Sequence, residues 1–345
     1  MRAVVYDGFG LAPEVREVAE PVAPPGGVVI RVEATGLCRS DWHGWQGHDA
    51  DIQKFPHVPG HEFSGIVAET GAGVRNWTPG DRVMTPFVCA CGTCPDCARG
   101  DHQVCANQTQ PGFTHWGSFA GHVAIDHADV NLIRLPEQMS FATAAGLGCR
   151  FATAFRAVAD RASVRPGEWV AVWGCGGVGL SAVMIAAAAG ARVVAIDTAP
   201  EALALARRFG AAETLLADGS GLTGRIRDLT SGGAHVSMDA LGDPGVCAAS
   251  ILCLRRRGRH VQIGLLPQGA ELPMGRVIAY ELDLLGSHGM PAHAYPRMLE
   301  LIASGALAPE ALITRTISLD AAVPALTGGS GPGVTMIDPW LHSEA

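Results

Sequence analysis

The most regular pattern of apolar and polar positions lies in residues 168–197, EWVAVWGCGGVGLSAVMIAAAAGARVVAID. A short unbroken apolar run, 169–173, reads as a buried strand. It gives way to a glycine turn. An alanine-rich, helix-favouring stretch then runs to about residue 189 and is ended by Gly190. A second apolar run, 192–196, leads to Asp197. The alternation continues. PEALALARRFG (200–210) reads as a helix ended by Gly210. HVSMDAL (235–241), GRHVQIGL (258–265) and ELDLLGS (281–287) read as strands, with helices over 244–257 and 274–280. Strand and helix in turn predict an α/β domain with a doubly wound parallel sheet over about 151–287.

The first 150 residues differ. They are rich in Gly and Pro and carry short β-like runs, among them GGVVIRVEATG, FSGIVAETG and DRVMTPFVC. That predicts an irregular β-rich domain. The tail mixes a helix near 295–304 with ITRTISLD and GVTMIDPW. No internal repeat or low-complexity tract interrupts the chain.

Composition narrows the function. At 345 residues, two domains are expected. The net charge of −8 provides no basic face to displace counterions from phosphates, which argues against nucleic-acid binding. The N-terminus lacks a signal peptide's apolar core, and the longest apolar run, 180–190, is too short to span a bilayer. A cytoplasmic protein is expected. Clustered thiols in that compartment bind metal more often than they form disulfides.

Five of the ten cysteines fall within CACGTCPDCARGDHQVC, residues 89–105. Cys91, Cys94, Cys97 and Cys105 follow C-x2-C-x2-C-x7-C, and Cys89 is out of step. Turns rich in Gly and Pro let four thiolates converge on one zinc ion, and four protein ligands leave no position for substrate. A bacterial ferredoxin run would instead place its last Cys after three residues and follow it with Pro. The lobe is therefore expected to hold a structural zinc. Cys38, His61 and Cys149 would make three ligands of an open site, but separations this long leave packed core residues as the alternative. The glycine turn is the third signal. Gly174, Gly176 and Gly179 fit G-x-G-x-x-G between a strand and a helix, and Asp197 follows about twenty residues on. A pyrophosphate is expected at the helix N-terminus and ribose hydroxyls at Asp197. No Arg in TAPEA stands ready for a 2′-phosphate, so NAD is expected over NADP.

Six stretches then coincide in order: GLCRSDWH, PGHEFSGIVAETGAGV, GDRV, CGTCPDCARGDHQVC, GLGCRFATAFRA and WGCGGVGLSAVMIA. Together they resemble the zinc-dependent alcohol dehydrogenases of the medium-chain dehydrogenase/reductase superfamily, over almost the whole chain. The resemblance implies a GroES-like catalytic domain from 1–150 and 288–345 and a Rossmann NAD-binding domain over 151–287. It implies two zinc ions per chain, one on Cys38, His61 and Cys149 and one on the lobe cysteines. It gives Glu62 as an acid near the metal, Asp41 as the partner that orients His61, and Ser40 as the hydroxyl that contacts the substrate oxygen. His43 would end a proton relay that passes Ser40 and the nicotinamide ribose. Arg39, Thr153, Gly177, Val178 and Ile263 join the glycines and Asp197 as cofactor contacts. Phe87, Trp42 and Trp116 are assigned to the substrate pocket. Further implications are NAD as cofactor, a small alcohol, aldehyde or ketone as substrate, and a homotetramer or dimer paired through the nucleotide domain. Related readings are a polyol, threonine or formaldehyde dehydrogenase, or a non-catalytic NAD-binding sensor. Polyol enzymes tend to carry Glu where this chain has Cys149, and the formaldehyde type is usually longer.

Overall fold

Trp169–Trp173 is buried at every position, as a central strand of a parallel sheet must be. It lies in a sheet of six parallel strands in the order Ala211–Leu216, Arg192–Asp197, Trp169–Trp173, Ala234–Asp239, Leu254–Gln262, Asp283–Gly286. In chain order this is 3-2-1-4-5-6, which reverses direction beside Trp169–Trp173. The computed structural model describes residues 1–219, 221–266, 269–329 and 331–341. The sheet belongs to a unit of Thr153–His288 and Glu300–Ala308; the other unit is Met1–Ala152, Gly289–Leu299 and Pro309–Ala345.

Three elements depart from the pattern reading. Ala211–Leu216 is a strand, although its AAETLL carries too little apolar contrast to announce one, and at the sheet edge only Leu215 of it is buried. The helix expected over 244–257 stops at Leu252. Its last residues, from Leu254, already belong to the next strand, where Arg255, Arg256 and Arg257 are exposed. A shift in register between Ala234 and Val236 accommodates this irregular start, and Arg257 sits at φ 60°. Helix Leu222–Leu229 is also additional.

The first unit is built on a mostly antiparallel sheet in the order Ile313–Ser318, Val334–Asp338, Val28–Leu37, Glu62–Thr70, Arg82–Met84, Ile133–Arg134. His122–Ile125 pairs with Val28–Leu37 off this path. Of the expected run DRVMTPFVC only Arg82–Met84 is strand. Val28, Ile30, Val32, Phe63, Val67 and Val83 point into one apolar core. Val28–Leu37 and Glu62–Thr70 run antiparallel, with Gly36 opposite Glu62. This register sets the end of the first strand beside the start of the second, and both lead directly to candidate ligands.

Candidate metal centres and cofactor turn

Cys38 follows the Val28–Leu37 strand, and His61 precedes the Glu62–Thr70 strand. Antiparallel pairing alone brings the two together. Cys149 arrives from a π-helical turn, Leu147–Phe151, the kind of irregular turn that often marks functional sites. The carbonyls of Leu147 and Gly148 accept the Tyr295 hydroxyl at 3.2 and 3.4 Å, and Tyr295 is fully buried. The ligand atoms of Cys38, His61, Glu62 and Cys149 all lie within 4.8 Å of one another.

Asp41 fixes the histidine. Its carboxylate accepts the Cys38 N–H at 2.9 Å, the Gly60 N–H at 3.1 Å and His61 Nδ1–H at 2.9 Å. A carboxylate only accepts, so the His61 proton sits on Nδ1 and the lone pair on Nε2. That Nε2 is buried and has no hydrogen-bond partner. A buried orphan acceptor facing two thiols is costly unless a cation takes it, so the donor set fits zinc. Burial opposes a charged imidazole, but Asp41 and Cys38 favour positive charge at this ring strongly enough to raise its pKa, the same pull that a cation on Nε2 would answer. The Cys149 thiol donates to Cys38, pulling the Cys38 pKa well down while its own goes well up.

Glu62 would be the fourth ligand, but Arg150 holds it. The Arg150 N–H donates to Glu62 Oε1 at 2.7 Å, and Nε reaches both oxygens at 3.0 and 2.8 Å. Its Nη2 also pairs with Oε2, and Nη1 donates to the Leu37 carbonyl at 3.0 Å. Both side chains are buried. Burial raises the Glu62 pKa, and Arg150 only partly offsets it. A Cβ at Gly36 would sit 2.5 Å from Glu62 Oε2 and 2.7 Å from Arg150 Nη2, so the pair requires glycine there. Three donors thus converge while the fourth is tied back, as in an open site. Sequence reasoning overlooked Arg150. Its one signal was its place directly after Cys149.

The lobe is closed by contrast. Cys94 Sγ lies 3.5 Å from Cys97 and 3.6 Å from Cys105, and Cys105 lies 3.5 Å from Cys91. A disulfide needs about 2.05 Å, whereas a zinc tetrahedron with bonds of about 2.3 Å has sulfur separations of about 3.8 Å. The Thr93 N–H and hydroxyl bring the Cys91 pKa down to about 5, and burial pushes Cys97 up to about 12. Asn131 fastens the lobe to the sheet. Its side chain accepts the Ala90 N–H at 2.7 Å and donates to the Ala90, His127 and Asp126 carbonyls at 3.0, 3.1 and 3.2 Å. Cys89 sits in the β core instead, where burial pushes its pKa up to about 12.

Ser40, Phe87 and Phe113 lie beside the candidate ligands. Cys38 Sγ lies 3.7 Å from Ser40 Oγ. Phe87 meets the His61 ring at 6.0 Å between centroids, and Phe113, absent from the sequence reading, meets it at 5.2 Å. Arg39 is exposed and stacks on Trp42, its Cζ 3.7 Å from the ring. Trp42 packs edge-on to His43. Trp116 points to a neighbouring cavity that shares Phe113. It donates to the Pro56 carbonyl at 2.8 Å and lines this cavity of about 340 Å³ with His57, Phe113 and His115.

In the other unit the glycines divide the work. Gly174 adopts φ 87°, a conformation most residues avoid. A Cβ at Gly179 would fall 1.7 Å from the Gly174 carbonyl oxygen, so the helix can approach the strand only with glycine. A Cβ at Gly176 would meet nothing within 4 Å. Gly176 caps the helix Gly177–Ala188 with no side chain across its N–H groups, which fits an anion such as a pyrophosphate. Asp197 accepts the Cys175 N–H at 2.6 Å and the Ala199 N–H at 2.9 Å, which holds its carboxylate beside the turn. Val178 and Ile263 are partly exposed; Thr153 is buried, and its carbonyl accepts the Ser287 hydroxyl at 3.1 Å.

Comparison with known proteins agrees with this geometry. Residues 24–137 match the alcohol dehydrogenase GroES-like domain and residues 177–304 the zinc-binding dehydrogenase domain. An alcohol dehydrogenase of Rhizobium meliloti is 35% identical over 288 residues, covering 83% of this chain and 84% of the relative. An NAD-dependent alcohol dehydrogenase structure superposes with a TM-score of 0.88 at 30% identity, covering 98% of this chain and 99% of that one. A zinc-binding dehydrogenase from Sinorhizobium meliloti, bound to NADP, superposes at 0.87 and 29%, with the same coverage. The chain belongs to the zinc-dependent alcohol dehydrogenases of the medium-chain dehydrogenase/reductase superfamily, and it is an oxidoreductase that uses a nicotinamide cofactor.

Proposed function

We infer that this enzyme interconverts small alcohols with aldehydes or ketones using NAD, with a catalytic zinc on Cys38, His61 and Cys149 and a structural zinc on Cys91, Cys94, Cys97 and Cys105. The observation that carries the reading is the unpartnered, buried His61 Nε2 beside two thiols, with Glu62 tied back by Arg150. When bound, zinc supplies a Lewis acid that makes an alcohol hydroxyl far more acidic, and the nicotinamide supplies the hydride acceptor.

The chain's own residues do the rest. Asp41 keeps the His61 lone pair aimed at the ligand site. Ser40 accepts the hydroxyl proton, and His43 carries it outward. Phe87, Phe113 and Trp42 supply apolar surface for the substrate. The Gly174–Gly179 turn receives the pyrophosphate. Asp197 takes the ribose hydroxyls and repels a 2′-phosphate, which favours NAD. A reducing compartment suits ten free cysteines. Pairing of the edge strand Asp283–Gly286 between copies would give the dimer or tetramer.

The test is NADH formation over a panel of primary, secondary and aromatic alcohols, with an NADP control and metal content on the same sample. Turnover with NAD and about two zinc ions per chain is expected. Cys149→Ala should abolish turnover and remove about one zinc while the lobe keeps its own. A fully active Cys149→Ala variant would refute the assignment.

A further inference from the structure

The helix that follows Cys38, Arg39–Trp45, ends in a way that brings a second histidine onto His43. Gln46 is the cap, and Gly47 takes φ 81°. The Gly47 N–H then reaches the Gly44 carbonyl at 3.0 Å, and the His48 N–H reaches the His43 carbonyl at 3.0 Å. These are the two bonds of a Schellman motif, which normally sets an apolar residue after the turn against one in the last turn of the helix. Here both positions are histidines. Their Nδ1 atoms are 3.0 Å apart, and Trp42 packs edge-on against both rings. His43 is partly buried, and His48 is exposed.

We propose that His48 is the outlet of the proton relay, receiving from His43 the proton that leaves the substrate hydroxyl and releasing it to water. The inference rests on the reading of His43 as a relay residue. At 3.0 Å one Nδ1 must donate and the other accept. With both Nδ1 atoms engaged, each ring keeps Nε2 as its second port. A proton arriving at His43 Nε2 is matched by transfer of the His43 Nδ1 proton to His48 Nδ1, and His48 Nε2–H is then lost to solvent. One proton enters and one leaves, and no electron moves. Burial, Arg39 and His48 hold the His43 pKa below its ordinary value, with Cys38 opposing, so His43 is a neutral acceptor near pH 7. The adjoining helix Leu319–Gly328 adds no free charge, because its Asp320 is paired with Arg2 at 2.7 Å.

Two measurements decide it. Long-range ¹⁵N NMR of the whole protein should find opposite tautomers, one ring protonated at Nδ1 and the other at Nε2; both rings at Nε2 would overturn the pair whether or not any alcohol is turned over. Because His48 is exposed, His48→Gln should fold. It should slow alcohol oxidation on the order of tenfold in weak buffer, and added imidazole should restore the rate without affecting wild type. A His48→Gln variant as fast as wild type and indifferent to imidazole would overturn the relay. If wild type oxidises no alcohol, the proposed function fails, and the NMR result still decides the histidine pair.

Discussion

Gly176 and Gly179 lie three residues apart and answer different demands. Space around Gly176 is open, whereas a Cβ at Gly179 would overlap the Gly174 carbonyl. Gly179→Ala should therefore cost about 1–3 kcal/mol or more of stability, as overpacking does. Gly176→Ala should leave the thermal transition nearly unchanged and weaken NADH binding, because its methyl group enters the space where the pyrophosphate would approach. Calorimetric melting and fluorescence titration with NADH separate the two effects. Equal melting temperatures for the two variants would contradict this division. The glycine spacing was plain in the sequence, but which glycine serves packing and which serves the ligand was not. That depends on where the Gly174 carbonyl points.

Among elements, the join between the π-helical turn and the Glu62–Thr70 strand is the most exposed to mutation. Arg150→Met would leave the buried Glu62 carboxylate with the backbone N–H of residue 150 but without its opposing charge, a loss of about 3–5 kcal/mol. Adding Glu62→Gln should recover much of that stability, since an amide can be buried at lower cost. Urea unfolding of the single and double variants checks this, and a double variant no more stable than Arg150→Met would refute the pairing energy. A second join shows its sign through pH. Arg259, on Leu254–Gln262, reaches Glu168 at 2.5 Å beside the start of Trp169–Trp173. Burial raises the Glu168 pKa, but Arg259 and the Arg165 N–H more than offset it, so the folded value lies below the ordinary 4.5. The stabilisation is present above pH 4.5 and is lost as pH falls through the folded value. Glu168→Gln should flatten that part of the melting-temperature profile; an unchanged acid limb would show that the pair contributes nothing there.

At the scale of the whole molecule, no described helix is long and apolar enough to cross a membrane. Among the described residues, Asp283–Gly286 is the last strand of its sheet, paired on one side only, and Leu284 and Leu285 are partly exposed. Nearby in sequence, Ile278 is 75% exposed on a helix with no buried residue. An open edge with apolar neighbours is normally covered or blocked. If copies pair there, Leu285→Lys should shift the mass measured by light scattering towards monomer. Wild type that is already monomeric would remove the expectation of a dimer or tetramer.

The sequence by itself determined the periodic parts of this protein. The parallel sheet, the glycine turn and the lobe cysteines are legible because strand period, turn chemistry and ligand spacing are local, each written within about thirty residues. The strand Ala211–Leu216 and the early end of the Pro244–Leu252 helix were not legible, because edge position and register, not apolar contrast, decide them. The open donor set was only suggested. Cys38, His61 and Cys149 are brought together by the antiparallel register of two strands and a π-helical turn. Only tertiary structure decided that Arg150 withdraws Glu62 and that His48 meets His43. Each of these depends on where a side chain ends up in three dimensions, and for the residues far apart in sequence no local pattern records it.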